Sequence, residues 1–201
     1  MTAKNGKSHW ANQSVAESIE LLLSVLRKHH PELCWKTGPA NQKQIQLLRR
    51  EIQYAPIQFF ELLEIVDYTD TRFFKYLDLI SLEELPNASA RQFETYAEFA
   101  PVDDDEDGWF PTKYDCCRHD KRWRLAWIPI AELNGDPIFL DMEPSEHGHP
   151  GQVVRTDSDG WSLHIQGYSI SHWFQRMAEN IDLEPAYYDP LVFTPLPPPS
   201  Q

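Results

Sequence analysis

The first pattern along the chain is a helical spacing of apolar residues near its start. These residues follow the i, i+3, i+4, i+7 spacing of one helical face, and they are Ile19, Leu22, Leu23 and Leu26. Ser14 and Glu17 precede them in the positions of a capping box, so a helix is expected to begin after Ser14. It is expected to end before Pro31, because the residue ahead of a proline is pushed out of helical geometry.

Three later stretches repeat the helical spacing. Their apolar residues are Ile45, Leu48 and Ile52 in the first, Phe59, Leu62, Leu63 and Val66 in the second, and Ile170, Trp173, Phe174 and Met177 in the third. The first predicts a helix from Asn41 to near Tyr54, and the second predicts a core helix with Pro56 at its first helical position. The third predicts a last helix that Ser169 or Ser171 caps.

Between these helices the period changes to that of strands. Three β-rich runs at 123–130, 137–142 and 152–156 are separated by an Asn-Gly-Asp turn and by a Gly/His/Pro loop, which predicts an antiparallel meander. Pro129 and Pro137 suit strand ends, an edge or a bulge rather than a central ladder position.

Two more strands are predicted on either side of this meander, at 72–80 and 161–165. Ser81 and Glu84 occupy capping-box positions and predict a short helix running towards Thr95. The expected fold class is therefore α+β, a mostly antiparallel sheet flanked by helices.

The domain organisation follows from length and from the two ends of the chain. The 201 residues show no composition shift in the middle, which predicts a single domain at 14–184. Residues 1–13 lack periodicity and are expected to form a mobile N-terminus. Six prolines within 185–201 predict a tail outside the core that is extended, polyproline-like or disordered.

The sequence has no segment suited to span a membrane and indicates a cytoplasmic location. No apolar run approaches the roughly 18 residues of a spanning helix. Residues 1–13 carry lysines without the apolar stretch of a secretory signal, so a cytoplasmic location is expected. The three cysteines, of which Cys116 and Cys117 are adjacent, are expected to be free thiols.

The net negative charge of the chain limits the kinds of molecule that it is expected to bind. The chain has 18 basic and 31 acidic residues and a net charge of −13, which opposes binding to nucleic acid or to anionic membranes. The same charge favours a protein partner with a basic surface. Its densest acidic segment consists of Asp103, Asp104, Asp105, Glu106 and Asp107.

Aromatic residues supply candidate anchors for such a partner. Trp109 follows the acidic segment, and Trp123 also lies among polar residues, so both are candidates for an exposed binding role. Core packing is the expected role of Trp127, Trp161 and Trp173. An acidic segment beside an aromatic anchor combines electrostatic steering with an apolar contact.

The residues that catalysis or metal binding would need are sparse. His147 and His149 lie in a loop with three carboxylates, and a small metal-dependent hydrolase built on them is one hypothesis. Zinc sites need three or four convergent ligands, however, and no third ligand is evident. No Gly-x-Ser-x-Gly elbow is present, and Cys116 and Cys117 lie too close in sequence to His119 for partners that normally converge from separate elements. We therefore expect no metal, no cofactor and no catalysis.

Short motifs occur in a definite order along residues 40–180. They are Ile45-x-x-Leu48-x-x-Glu51, Pro56-x-x-Phe59-x-x-Leu62-Leu63, Leu79-Ile80-Ser81-Leu82-Glu83-Glu84-Leu85, Trp127-Ile128-Pro129-Ile130, Gly135-Asp136-x-Ile138-Phe139-Leu140-Asp141 and Gly151-Gln152-Val153. This series resembles the SUKH superfamily, the Smi/Knr-like proteins. It departs from the family at Ala55, where a leucine is usual, and at 68–71, which replaces a Gly-rich loop.

The resemblance implies a SUKH-like arrangement and a binding function. Similar proteins are chiefly bacterial immunity proteins that bind and neutralise a polymorphic toxin, often a nuclease. Fungal relatives regulate cell-wall synthesis inside the cell, so a regulatory scaffold is the alternative, for which the tail at 185–201 is the relevant feature. For Asp141, which interrupts an apolar strand, the resemblance implies either a fold-stabilising or a groove-lining role. A carboxylate at this position can also bind the backbone N–H groups of the following loop.

The candidate partner-binding residues combine the acidic segment, two tryptophans and two carboxylates of the central strand and loop. They are Asp103, Asp104, Asp105, Glu106, Asp107, Trp109, Trp123, Asp141 and Glu143.

Overall fold

The described part of the chain forms five helices and two antiparallel sheets. The computed structural model describes residues 14–29, 37–66, 68–69, 77–99, 124–133, 135–156 and 163–181. The elements are α1 (Val15–His29), β1 (Thr37–Gly38), α2 (Gln42–Glu51), α3 (Ile57–Ile65), β2 (Tyr68–Thr69), β3 (Leu77–Leu79), α4 (Leu85–Phe99), β4 (Trp127–Leu133), β5 (Asp136–Asp141), β6 (Gln152–Thr156), β7 (Leu163–Gly167) and α5 (Ile170–Ile181). The predicted α+β class is confirmed. None of these helices has both the length and the apolar character needed to cross a membrane.

The larger sheet is the predicted meander. Its five strands lie in the order β3-β4-β5-β6-β7, and every neighbouring pair is antiparallel. Gly135, at a positive φ of 92°, lies in the tight turn that returns β4 into β5. Pro129 adjoins a register shift between positions 129 and 131, which confirms that this proline suits a bulge.

The register of the strands divides their side chains between two buried faces. Ile128, Leu140 and Val153 lie opposite one another on neighbouring strands and belong to the main core. Phe139 and Val154 are also paired and buried, but they point to the second face because strand side chains alternate. On that second face Trp127 stacks on Phe139 with ring centroids 4.3 Å apart.

Helices α1, α3 and α5 bury their apolar faces in the main core. Helices α1 and α5 pack against each other, and both contact α3. The predicted apolar faces are buried, with Leu22, Trp173 and Phe174 among the largest fully buried side chains. Gln58 of α3 accepts a hydrogen bond from Ser171 N at 3.3 Å, so a polar contact also joins α3 to α5.

Side-chain caps set the starts of the first and last helices. Ser14 Oγ accepts from Glu17 N at 3.2 Å, and Glu17 Oε2 accepts from Ser14 N at 3.0 Å, which is the reciprocal capping box that the sequence predicts. Ser169 Oγ accepts from His172 N at 3.2 Å and caps α5.

The predicted bounds of four elements are wrong by a few residues. Helix α2 ends at Glu51, so Tyr54 lies outside it in the turn ahead of α3. Pro56 precedes the first helical residue with an extended ψ of 152°, because its own backbone still belongs to that turn. Strand β4 begins at Trp127 rather than position 123 and continues to Leu133, where pairing with β5 sustains it. Helix α4 runs past Thr95 to position 99. The single domain at 14–184 stays a prediction, and 1–13 and 185–201 lie outside the described residues.

The end of β7 and the start of α5 approach each other very closely. A Cβ atom added to Gly167 would lie 2.7 Å from the backbone nitrogen of Trp173 and 2.9 Å from its Cα. Neither of these atoms moves without shifting the helix. Gly167 therefore sets how near α5 lies to the sheet.

We predict that Gly167→Ala lowers the free energy of unfolding by about 2 kcal/mol or more, because the added methyl group overpacks a backbone contact. Urea unfolding followed by circular dichroism measures this. Gly38→Ala is the matched control, since a Cβ there meets nothing within 4 Å. Equal stability of the two variants would contradict the close approach.

Candidate functional site

The site is built around a buried carboxylate at the end of the central strand. Asp141 is the last residue of β5 and is fully buried. Its Oδ1 accepts hydrogen bonds from Trp127 Nε1 and from Glu143 N, each at 3.1 Å. Its Oδ2 accepts from Gln152 Nε2, also at 3.1 Å. Three donors thus converge on one carboxylate, which is the arrangement that a buried charge requires.

The strand register brings these donors together. Trp127 of β4 and Gln152 of β6 are the direct neighbours of Asp141 on its two sides. Gln152 also accepts a hydrogen bond from His149 N at 3.2 Å, and the backbone carbonyl of Asp141 accepts from Gly151 N at 2.8 Å. The loop between β5 and β6 is therefore fastened at both ends to the same group of residues.

Two opposing influences act on the ionisation of Asp141. Burial raises the pKa of the Asp141 carboxyl above its ordinary value. The hydrogen bonds from Gln152, Glu143 N and Trp127, and the charge of Arg124, lower that pKa in part. Burial is the largest influence.

Glu143 connects the hydrogen bonds of Asp141 to the protein surface. Its backbone is held by Asp141, while its side chain is 56% exposed and pairs with Arg124 Nη1 at 3.4 Å. The Arg124 side chain is only 14% exposed. The carboxylate therefore lies outermost, with the guanidinium beneath it.

Tyr54 borders the same surface from a different part of the chain. Its hydroxyl donates to the backbone carbonyl of Leu125 at 3.0 Å. Burial and then the nearby charge of Glu143 raise the pKa of the Tyr54 hydroxyl. Tyr54, Leu125 and Glu143 thus lie together beside the buried Asp141.

The two histidines of the loop make different contacts. His147 Nε2 lies 3.4 Å from Glu146, and the His149 ring lies edge-on to Tyr168 with centroids 6.3 Å apart. Across the described residues, no group of three or more His, Cys, Asp and Glu side chains is placed to hold a metal ion.

Tyr168 links this loop to the start of α5. Its ring lies 5.2 Å from that of His172, centroid to centroid, and its backbone N–H donates to His172 Nδ1 at 3.3 Å. Burial, together with the charge of Arg176, lowers the pKa of His172 to about 4. A ring nitrogen that accepts a backbone hydrogen bond is consistent with the neutral form.

The structure brings together two of the predicted partner-binding residues, Asp141 and Glu143, and gives them different surroundings. Asp141 is buried and holds the loop, which is the backbone-binding role considered from the sequence. Glu143 is exposed. The remaining binding candidates lie outside the described residues: Asp103, Asp104, Asp105, Glu106, Asp107, Trp109 and Trp123. Trp161 and the cysteines Cys34, Cys116 and Cys117 lie outside them as well.

Sequence reasoning missed Tyr54, Arg124 and Leu125 as parts of this site. The helical spacing places Tyr54 near the end of a helix, and its bond to Leu125 uses a backbone carbonyl, which leaves no trace in side-chain patterns. Arg124 had a usable signal, since it is the cation nearest in sequence to the start of β4, the strand that pairs with the one ending at Asp141.

Compared with protein-family models and with curated proteins, the sequence matches none.

We predict that Asp141→Asn destabilises the fold by about 2 kcal/mol, because the new amide nitrogen faces the Gln152 amide nitrogen and two donors are left unpaired. Gln152→Glu alone is expected to destabilise the fold by a similar amount, because the new carboxylate then faces that of Asp141. In the double variant the amide at position 141 donates to the carboxylate at 152, whose other oxygen accepts from His149 N. Urea unfolding should therefore show that the double variant recovers at least half of the summed loss.

Glu143→Gln is the control for this cycle, since Asp141 binds the backbone of Glu143 and not its side chain. Its stability should match the parent protein within about 0.5 kcal/mol. Additive losses in the double variant would show that Asp141 and Gln152 do not form the described pair.

The lowered pKa of His172 predicts a loss of stability on acidification. Between about pH 6.5 and 4 the unfolded chain binds a proton at His172 and the folded protein does not, so stability falls as pH falls through this window. His172→Asn keeps an acceptor for Tyr168 N and should lose less stability between pH 7 and 5. Urea unfolding at the two values measures the difference. An imidazole that titrates near pH 6.5 by NMR in the folded protein would refute the explanation.

Proposed function

We propose that this protein is a non-catalytic binding protein of the immunity type, which binds and neutralises a toxin domain with a basic surface. The resemblance to the SUKH superfamily supports this class of function. The α+β fold with its antiparallel meander and flanking helices is compatible with it. The net charge of −13 supports a partner of opposite charge.

The observation that carries the proposal is the fixed, exposed position of Glu143 beside Tyr54 and Leu125. Asp141 holds the backbone of Glu143, and Arg124 lies beneath its carboxylate. Charged and apolar groups that are held in place before binding lose little conformational freedom on association. Such a surface is suited to a specific protein contact.

The alternatives draw less support from the described residues. The regulatory-scaffold alternative depends on the tail at 185–201, which lies outside them. The hydrolase alternative depends on His147 and His149, whose contacts are with Glu146 and Tyr168.

The direct test is co-expression with the protein encoded immediately upstream of this gene. If that protein is toxic when expressed alone, co-expression should restore growth, and the two purified proteins should form a stable complex. Toxicity that persists undiminished at equal expression would contradict the proposed function, as would measurable turnover of the toxin's substrate by this protein.

For that complex we predict that neutralising the five acidic residues at 103–107 to Asn or Gln lowers the association rate and weakens its dependence on salt. The reason is that exposed charges steer a basic partner over about 8 Å at physiological ionic strength. Dissociation should change little. Stopped-flow or surface-plasmon measurements at several salt concentrations test this.

The control variant removes five exposed acidic charges that are spread over the surface: Glu20, Glu51, Glu83, Glu94 and Glu179, each changed to Gln. Both variants have the same net charge. If both slow association equally, the segment at 103–107 has no steering role beyond its contribution to net charge.

A further inference from the structure

Two large apolar side chains are exposed side by side near Glu143. Leu125 is 84% exposed and Tyr54 is 49% exposed. The Tyr54 hydroxyl donates to the Leu125 carbonyl, so the two residues are in contact. We call Tyr54, Leu125 and Glu143 together the Tyr54 patch.

The backbone beneath the Tyr54 patch is held in place. Trp127 N donates to the Arg124 carbonyl at 3.0 Å, and Met142 N donates to the Ala126 carbonyl at 3.1 Å. The Tyr54 hydroxyl adds a third hydrogen bond to this turn, at Leu125. A shift of the Leu125 backbone would strain or break these hydrogen bonds, so the position of its Cα is fixed on this surface.

The charge on the patch points outward. Glu143 Oε2 pairs with Arg124, and within the described residues Glu143 Oε1 makes no hydrogen bond or ion pair. The Arg124 side chain is 14% exposed and that of Glu143 is 56% exposed, so the carboxylate presents more surface to a partner than its cation does. Glu146, which is exposed on the same loop, adds a second carboxylate nearby.

An exposed apolar surface beside an outward carboxylate is complementary to an apolar side chain that has a cation next to it. We propose that the Tyr54 patch is a docking surface for a protein segment in which an aromatic or large aliphatic residue is flanked by lysine or arginine. The apolar residue packs on Leu125 and Tyr54, and the cation pairs with Glu143 Oε1. This deepens the proposed function and rests on it only for the identity of the natural partner.

The probe for this surface is a capped pentapeptide with the sequence Gly-Lys-Trp-Lys-Gly. Titrated into the 15N-labelled protein at low salt, it should shift the NMR signals of positions 54, 124–126 and 142–143 in a saturable way. Replacing both lysines by glutamate should abolish these shifts. Replacing the tryptophan by serine should weaken binding at least threefold.

Matched variants of the protein test the same surface. Leu125→Ser and Glu143→Gln should each weaken the peptide at least threefold while leaving the unfolding midpoint unchanged, since both side chains are largely exposed. Tyr54→Phe keeps the ring and removes only the bond to Leu125, so it should weaken binding less than Leu125→Ser.

The control is Phe93→Ser combined with Glu94→Gln, which removes one exposed apolar side chain and one exposed carboxylate from α4. Arg91 of the same helix pairs with Glu132 at 3.1 Å. Glu132 lies five residues beyond Trp127 along β4, roughly 16 Å away at the rise of a strand. This variant should bind the peptide as the parent protein does.

The proposal is overturned if the peptide shows no saturable shifts at millimolar concentration, if the shifts centre on other residues, or if the α4 control weakens binding as much as Leu125→Ser. The upstream toxin separates the two proposals. If this protein suppresses its toxicity and Leu125→Ser leaves the affinity for the toxin unchanged, docking at the Tyr54 patch is refuted and the proposed function is not. Persistent toxicity together with peptide binding at the patch would refute the proposed function alone.

Discussion

The hydrogen bonds to the Asp141 carboxylate tie the end of the sheet to the surface beside it. They join β4, β5 and β6 at one level and reach into the following loop through Glu143 N. A buried carboxylate without such donors would be costly, so the strands, the loop and the charge are mutually dependent. The position of Glu143 on the surface is therefore a consequence of a group that is itself fully buried.

Much of the fold follows from residue spacing alone. Ser14 and Glu17 mark the start of α1 because their pairing is local, and the 3.6-residue period identifies the buried faces of α1, α3 and α5 without further information. Asp141 is identifiable as a candidate site residue for the same reason, because a carboxylate inside an apolar strand breaks a local pattern. Features decided within a few residues of one another are therefore predictable here.

Features that depend on contacts between residues far apart in the sequence are not predictable from spacing. Tyr54 and Leu125 are 71 residues apart, and the acceptor is a backbone carbonyl that every residue type possesses. Gly167 looks like an ordinary strand glycine until the helix lying against it is known. The predicted helix boundary near Tyr54 is wrong in the same way, since Tyr54 lies in a turn from which its side chain reaches Leu125. The binding roles of 103–107, Trp109 and Trp123 stay predictions from charge and composition.

The packing of α1 against α5 has a consequence for synthesis on the ribosome. Gln175 of α5 donates to Ser18 of α1 at 3.5 Å, across 157 residues of chain. At ordinary elongation rates α1 waits about 8 to 30 s for this partner. The meander between them pairs each strand with the next along the chain, while α1 has α3 beside it but still lacks α5. Until α5 has left the exit tunnel, α3 can cover only part of the apolar face of α1, because α5 is the main partner of that face.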